Sequence, residues 1–188
     1  MHGDDAPSTW VRRFAPLVRE RGRVLDLACG RGRHATLLSE LGHFVVALDR
    51  DRAALAALRD TGVAALCADV ERHGWPFAPG VFDGIVVTNY LHRPLFPALI
   101  AALAPSGVLI YETFAIGNER YGRPSNPAFL LRPGELSAQF NALHIVAFEQ
   151  GRIDMPGPAV VQRMCAVQTS DSGGKTAPST PFEPFSLG

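Results

Sequence analysis

Between Val24 and Ala35 the chain reads Val-Leu-Asp-Leu-Ala-Cys-Gly-Arg-Gly-Arg-His-Ala, an apolar run that breaks at two glycines and opens a helix-like stretch. A short apolar run of this kind suits a strand buried on both faces, as in a parallel sheet covered by helices. Gly30 and Gly32 let the backbone turn tightly and come close to a ligand. The amides of the helix N-terminus behind them favour an anionic group. Gly30, Gly32 and Ala35 also fit the spacing G-x-G-x-x-G/A of dinucleotide-binding turns. A second apolar run, Phe44 to Leu48, leads to Asp49, about 20 residues on, where a carboxylate accepts hydrogen bonds from ribose hydroxyls. These features predict a nucleotide site and leave the nucleotide open.

The rest of the chain continues the alternation. Strand-like runs at Arg23–Ala28, Phe44–Leu48, Ala64–Ala68, Phe82–Thr88 and Val108–Phe114 are separated by helix-like stretches at Arg33–Leu41, at Arg52–Arg59 and around Leu95, Leu99 and Leu103. Strand, helix, strand in succession predicts a parallel sheet. Two last apolar runs, Ala142–Phe148 and Val160–Val167, are expected to pair as an antiparallel hairpin at one edge, after a short helix opening at Pro133-Gly134-Glu135. The expectation is an α/β, doubly wound, mostly parallel seven-stranded sheet over residues 23–169. Residues 1–22 precede it as a helical segment, with Trp10, Phe14 and Leu17 at helical spacing behind a Ser8 cap and a break at Pro16. The segment 170–188, rich in Ser, Thr, Pro and Gly, is expected to be a disordered tail.

Composition narrows the function. Formal net charge is +0, without the cationic excess of proteins that hold nucleic acid through phosphates, so a nucleic-acid partner is disfavoured. There is no apolar run long enough to span a bilayer, and residues 1–13 lack the apolar stretch of a signal peptide, so a soluble cytoplasmic protein without a membrane partner is expected. Three cysteines (Cys29, Cys67 and Cys165) in no metal-ligand spacing predict neither a disulfide framework nor a metal site. A monomer or homodimer acting on a small molecule fits these limits.

Four segments, in order, resemble class I S-adenosylmethionine-dependent methyltransferases, whose sheet is Rossmann-like. Asp26 with Ala28, Gly30 and Gly32 is similar to the family's acid-x-G-x-G-x-G turn, with Ala28 in place of the first glycine. Cys67-Ala68-Asp69-Val70 resembles the strand end at which an acid takes the adenine amino group and the next amide meets a ring nitrogen. Phe82-Asp83 through Asn89-Tyr90 is similar to the strand that ends beside the transferred methyl, and Leu103-Ala104-Pro105-Ser106-Gly107 to the L-x-P-G-G turn before the fifth strand. The Gly30-Arg31-Gly32-Arg33 turn and the segment Phe129–Leu136 resemble, more narrowly, the small tellurite-resistance and thiopurine methyltransferases.

The resemblance implies S-adenosyl-L-methionine as cofactor, held by Asp26, Ala28, Cys29, Gly30, Gly32, Asp49, Arg50, Asp69, Val70 and Asn89. Asn89 and Tyr90 are expected nearest the methyl, with Tyr111 and Glu112 on the fifth strand beside them, and Asn89, Tyr90 and Tyr111 are the catalytic candidates. His92 is a candidate for binding the acceptor, with a helix-start role as the competing reading. The stretch Gly117–Pro127 is expected to close over the crevice as a lid bringing Arg120 and Arg123 over an anionic acceptor. Competing readings are a structural carboxylate at Asp26, a capping or solvent-facing His34, a buried filler at Cys29, and surface pairing of Arg120, Arg123 and Arg132 with Glu119 and Glu135. At the level of function the alternatives are an NAD-binding oxidoreductase and a non-catalytic methyltransferase-like binding subunit.

Overall fold

The computed structural model describes residues 6–169. The expected tail at 170–188 lies outside the described residues. Seven strands form one sheet in the order β3-β2-β1-β4-β5-β7-β6. They are β1 (Arg23–Leu27), β2 (Phe44–Asp49), β3 (Ala64–Cys67), β4 (Phe82–Thr88), β5 (Leu103–Phe114), β6 (His144–Ile153) and β7 (Ala159–Val167). The first five are parallel, and β7 inserts antiparallel between β5 and β6. Every residue of β4 is buried, as its apolar run Ile85–Val87 suits a central strand covered on both faces.

Six short helices cover the sheet: α1 (Thr9–Phe14), α2 (Arg33–Glu40), α3 (Arg52–Leu55), α4 (Val70–His73), α5 (Phe96–Ala102) and α6 (Glu135–Gln139). They enclose two cores. Trp10, Leu38, Leu55 and Leu58 pack with Val24, Val86 and Ile110 in one. Phe96, Leu99, Leu136 and Phe140 pack with Leu25, Ile85 and Tyr111 in the other. No helix among the described residues is long and apolar enough to cross a membrane.

Local chemistry sets the element ends. Ser8 accepts from the Trp10 amide and starts α1, which gives way at Pro16 to a single 3-10 turn. The stretch expected as one helix through Leu103 ends at Ala102, because β5 begins five residues before Val108 to pair Leu103 with Phe82. Sequence periodicity also misses α4, a single turn nucleated by Asp69, whose Oδ1 accepts from the amides of Glu71 and Arg72 at 3.1 and 3.2 Å. The parallel strands bring Ala28, Asp49, Ala68 and Asn89, each just past or at a C-terminal strand end, to one edge of the sheet. Asp83, at the opposite end of β4, is a staple: it accepts from Arg19 Nε at 2.6 Å and from the Arg23 amide at 2.7 Å.

Candidate functional site

The turn after β1 is built from left-handed backbone. Ala28, Gly30 and Gly32 have φ of 53, 56 and 80°, a region that glycine enters freely and alanine at a cost of about 1–2 kcal/mol. Gly32 is required sterically as well, since a Cβ there would lie 2.4–2.7 Å from the Leu58 side chain. Around Gly30 the space is empty: nothing lies within 4 Å of the place a Cβ would occupy. Asp49, at the end of β2, fixes this turn to the next loop. Its Oδ2 accepts from the Gly30 amide and its Oδ1 from the Asp51 amide, both at 2.8 Å.

Asp26 supports the turn from below. It is 1 % exposed, its Oδ2 accepts from the Ala35 amide at 2.9 Å in the first turn of α2, and it lines neither of the two cavities along this edge. The geometry therefore favours the structural carboxylate over ligand contact. Burial pushes its pKa up to about 7, against the opposing pull of the Ala35 hydrogen bond and the Arg33 charge. Because the folded value stands above the unfolded 3.8, the native state holds the proton more tightly, and Asp26 costs stability as pH rises from about 4 to 7. Asp26→Asn keeps an oxygen for Ala35 and carries no titrating charge. The stability difference between variant and wild type should therefore shift in the variant's favour from pH 5 to pH 8 in denaturant unfolding; a pH-independent difference would contradict a buried, titrating Asp26.

Two cavities open along this edge. The first, about 390 Å³, is lined by Asp49, Arg50, Asp69, Val70, Glu71 and Tyr90, and is covered by Pro124 and Phe129. The second, about 720 Å³, lies between the glycine turn, the N-terminal segment at residues 6–9 and the connection from β6 to β7. Ala28, Asn89 and Phe114 border both. Asn89 takes left-handed backbone, φ 54°, at this junction, which asparagine tolerates better than most residues.

The remaining expected residues are distributed as follows. Cys29 borders the second cavity as a buried thiol whose pKa is driven upward by burial, in keeping with a filler. Tyr90 donates its hydroxyl to Glu71 Oε1 at 3.1 Å, and burial with the Glu71 charge raises its pKa. Tyr111 departs from expectation: its ring is buried in the core and its hydroxyl donates to the Tyr90 carbonyl at 2.9 Å, so it supports Tyr90 and touches neither cavity. His92 reaches the first cavity only through Glu71, with Nδ1 3.8 Å from Glu71 Oε2.

The lid is a further correction. Of the segment Gly117–Pro127 only Pro124 lines the first cavity, joined by Phe129 just beyond it, while Arg120 and Arg123 are exposed and line neither cavity. Glu135, expected as their surface partner, is taken by Arg93, whose Nε and Nη2 approach its two oxygens at 2.5 and 2.9 Å. The same guanidinium donates to the carbonyls of Ala128 and Leu130, pinning the lid beside Phe129.

The roles of three residues escape the sequence reading, which weighs His34 only as a cap or solvent-facing side chain and does not single out Glu71 or Arg163. His34 is 1 % exposed and bonded at both nitrogens, neither capping nor solvent-facing. The Ser8 amide can only donate to Nε2, so the ring proton sits on Nδ1, facing Thr88 Oγ1 at 3.3 Å. Burial pushes its pKa down to about 3, which keeps it neutral. Glu71 holds both Tyr90 and His92 at the first cavity. Arg163, on β7, lines the second cavity with Nε 2.6 Å from Glu112 Oε2.

Comparison with known proteins agrees with this arrangement. Residues 24–107 match the methyltransferase domain family. The 18S rRNA (guanine-N(7))-methyltransferase of Mus musculus is 45 % identical over 65 residues, 34 % of this chain and 23 % of that protein. The trans-aconitate 2-methyltransferase of Paracidovorax citrulli is 34 % identical over 97 residues, 47 % of this chain and 37 % of that protein. The chain thus spans well under half the length of either. TehB from Haemophilus influenzae superposes with a TM-score of 0.73 at 17 % identity, covering 87 % of this chain and 63 % of that one, a likeness that shows the fold alone. Residues 24–107, which carry the glycine turn and the strand-end acids, are thus similar to a methyltransferase domain, and the sheet around them has the fold of TehB.

Proposed function

We propose that the protein transfers the methyl group of S-adenosylmethionine to a small molecule. The observation that carries this reading is the pair of cavities meeting at Ala28, Asn89 and Phe114, one edged by Asp49 and Asp69 from successive strand ends, the other enclosed by the N-terminal segment. The residues fit the cofactor. Each oxygen of Asp49 accepts one backbone amide and keeps a further lone pair for a ribose hydroxyl. Asp69 caps α4 through Oδ1 alone, which leaves Oδ2 for the adenine amino group beside the Val70 amide. The open space over Gly30 is a cradle that a side chain would fill.

When bound, S-adenosylmethionine supplies a methyl group already activated by its sulfonium. The chain's own task is to position and to exclude water. Leu48, Ala68, Leu91 and Phe129 line the first cavity with apolar surface. Tyr90 retains its proton while donating it to Glu71, and Cys29 keeps its own in a buried site, so neither is suited to act as a base or nucleophile. The sheet order speaks against the oxidoreductase alternative: dinucleotide folds run 3-2-1-4-5-6, whereas here an antiparallel β7 separates β5 from β6. Three free cysteines, two of them buried, support a reducing cytoplasmic setting.

Incubation with methyl-labelled S-adenosylmethionine and separate pools of small thiols, selenite, phenols and total RNA tests the proposal. Label should enter a small-molecule product. Label confined to RNA, the kind of acceptor that the mouse relative is named for, or no labelled product from any pool, would contradict it.

A further inference from the structure

A row of polar side chains crosses the sheet along the second cavity. Strand register aligns Thr88 on β4 with Glu112 on β5, Glu112 with Arg163 on β7, and Arg163 with Glu149 on β6, and side chains directly opposite on neighbouring strands share a face. Ion pairs follow the row. Arg163 Nε lies 2.6 Å from Glu112 Oε2 and its Nη1 3.8 Å from Glu149 Oε2, while Arg13 of α1 reaches Glu149 at 3.6 Å. Glu112 and Arg163 form the end that enters the cavity, with side chains 11 % and 13 % exposed. Glu112 is also next to the junction of the two cavities, since its carbonyl accepts from the Asn89 amide at 2.9 Å.

The pair is electrostatic without being satisfied. Glu112 Oε2 and Arg163 Nε are both buried and neither makes a hydrogen bond, so the contact at 2.6 Å brings charges together without a linear N–H···O. Oε2 is closed off against Arg163, whereas Oε1 also takes no hydrogen bond and is the oxygen of Glu112 left to face the cavity, where a carboxylate without a donor is costly. Most of the neighbouring donors are committed, and the Thr88 hydroxyl, opposite Glu112 in register, makes no hydrogen bond to it. Arg163 lies between two carboxylates, the one proton of His34 faces Thr88, and Arg33 Nη1 donates to the Ala6 carbonyl at 3.2 Å. Arg31, also on the lining, is exposed on the glycine turn. The apolar part of the lining comes from Phe114 and Val161 on the same strands and from Ile153, Met155, Pro156 and Pro158.

We propose that Glu112, positioned by Arg163, is the acceptor-binding carboxylate of the second cavity, and that the molecule bound there presents an N–H or O–H to it from an apolar body: a small amine, phenol or N–H heterocycle. A carboxylate or other oxyanion would be brought against the Glu112 charge, which disfavours it. This substrate class rests on the methyl-transfer reading, and it replaces the anionic acceptor that Arg120 and Arg123 suggested.

The test uses three fragment sets of matched size (aromatic amines and phenols, aromatic carboxylates, and apolar isosteres) with ligand-observed saturation-transfer NMR on the full chain loaded with S-adenosylhomocysteine. Amines and phenols should bind preferentially. Glu112→Gln should weaken them at least tenfold while the affinity for S-adenosylhomocysteine, measured by calorimetry, stays within about twofold and reports an intact fold. Glu112→Asp, which keeps the charge one methylene further back, should recover part of the loss. Preference for carboxylates, donor binding indifferent to Glu112→Gln, or no donor binding at millimolar concentration would each overturn the proposal. If S-adenosylhomocysteine itself fails to bind, the methyl-transfer reading falls, and the same sets applied to the unloaded protein still decide, by the same outcomes, whether Glu112 selects donors.

Discussion

Asp49→Ala should weaken S-adenosylhomocysteine binding about a hundredfold. Hydrogen bonds to a charged group contribute about 1.5–3 kcal/mol each, and two lost ribose bonds at the lower figure already give that factor. The structure adds a second reason for a large effect. The same carboxylate ties the Gly30 amide and the Asp51 amide, so the substitution also frees the glycine turn and the loop into α3. Asp49→Asn, which keeps one oxygen, should fall between variant and wild type. Calorimetry with S-adenosylhomocysteine checks this. An unchanged affinity for Asp49→Ala would remove the residue from the site.

Gly32→Ala should lower stability by about 3 kcal/mol, from left-handed strain of roughly 1–2 kcal/mol and overpacking of roughly 1–3 kcal/mol. In a chain of this size that is a melting-temperature fall of roughly 6–12 °C. The overpacking is real because Leu58, which the new methyl would meet at 2.4–2.7 Å, is 3 % exposed and hemmed in by its core. Gly30→Ala makes the informative contrast. Its φ of 56° is nearly that of Ala28 at 53°, and its methyl meets nothing within 4 Å of protein. Its stability loss should be about 1 kcal/mol, with the larger effect on cofactor affinity, since the methyl fills the cradle. Equal thermal losses for the two variants, by calorimetric melting, would contradict this division of labour between packing and binding.

The parts of the fold carried by local pattern were legible in the sequence. Phe82–Thr88 is a strand with the same ends in both, and Asp49 and Asp69 stand at strand ends because apolar runs stop there. Residues whose roles depend on distant segments were harder to read. His34 shares a helix face with Leu37 and Leu38, which marks it as buried, yet its partner Ser8 lies 26 positions away. Glu112 and Arg163 are single charges inside apolar strands, an arrangement that demands a partner. That signal was available; which partner became visible only with the β5-β7 register. Arg120 and Arg123 failed for the converse reason, since a basic loop sequence does not say which way its side chains face. The lid instead rests on Arg93, distant in sequence, and on the apolar Phe129.

The most direct test of the account is a calorimetric titration of the full chain with S-adenosylhomocysteine and, separately, with NAD, repeated on Asp69→Ala. One equivalent of S-adenosylhomocysteine should bind, NAD should give no saturable heat, and Asp69→Ala should weaken the adenosyl ligand while circular dichroism shows the fold retained. Saturable binding of NAD with none of S-adenosylhomocysteine would contradict it.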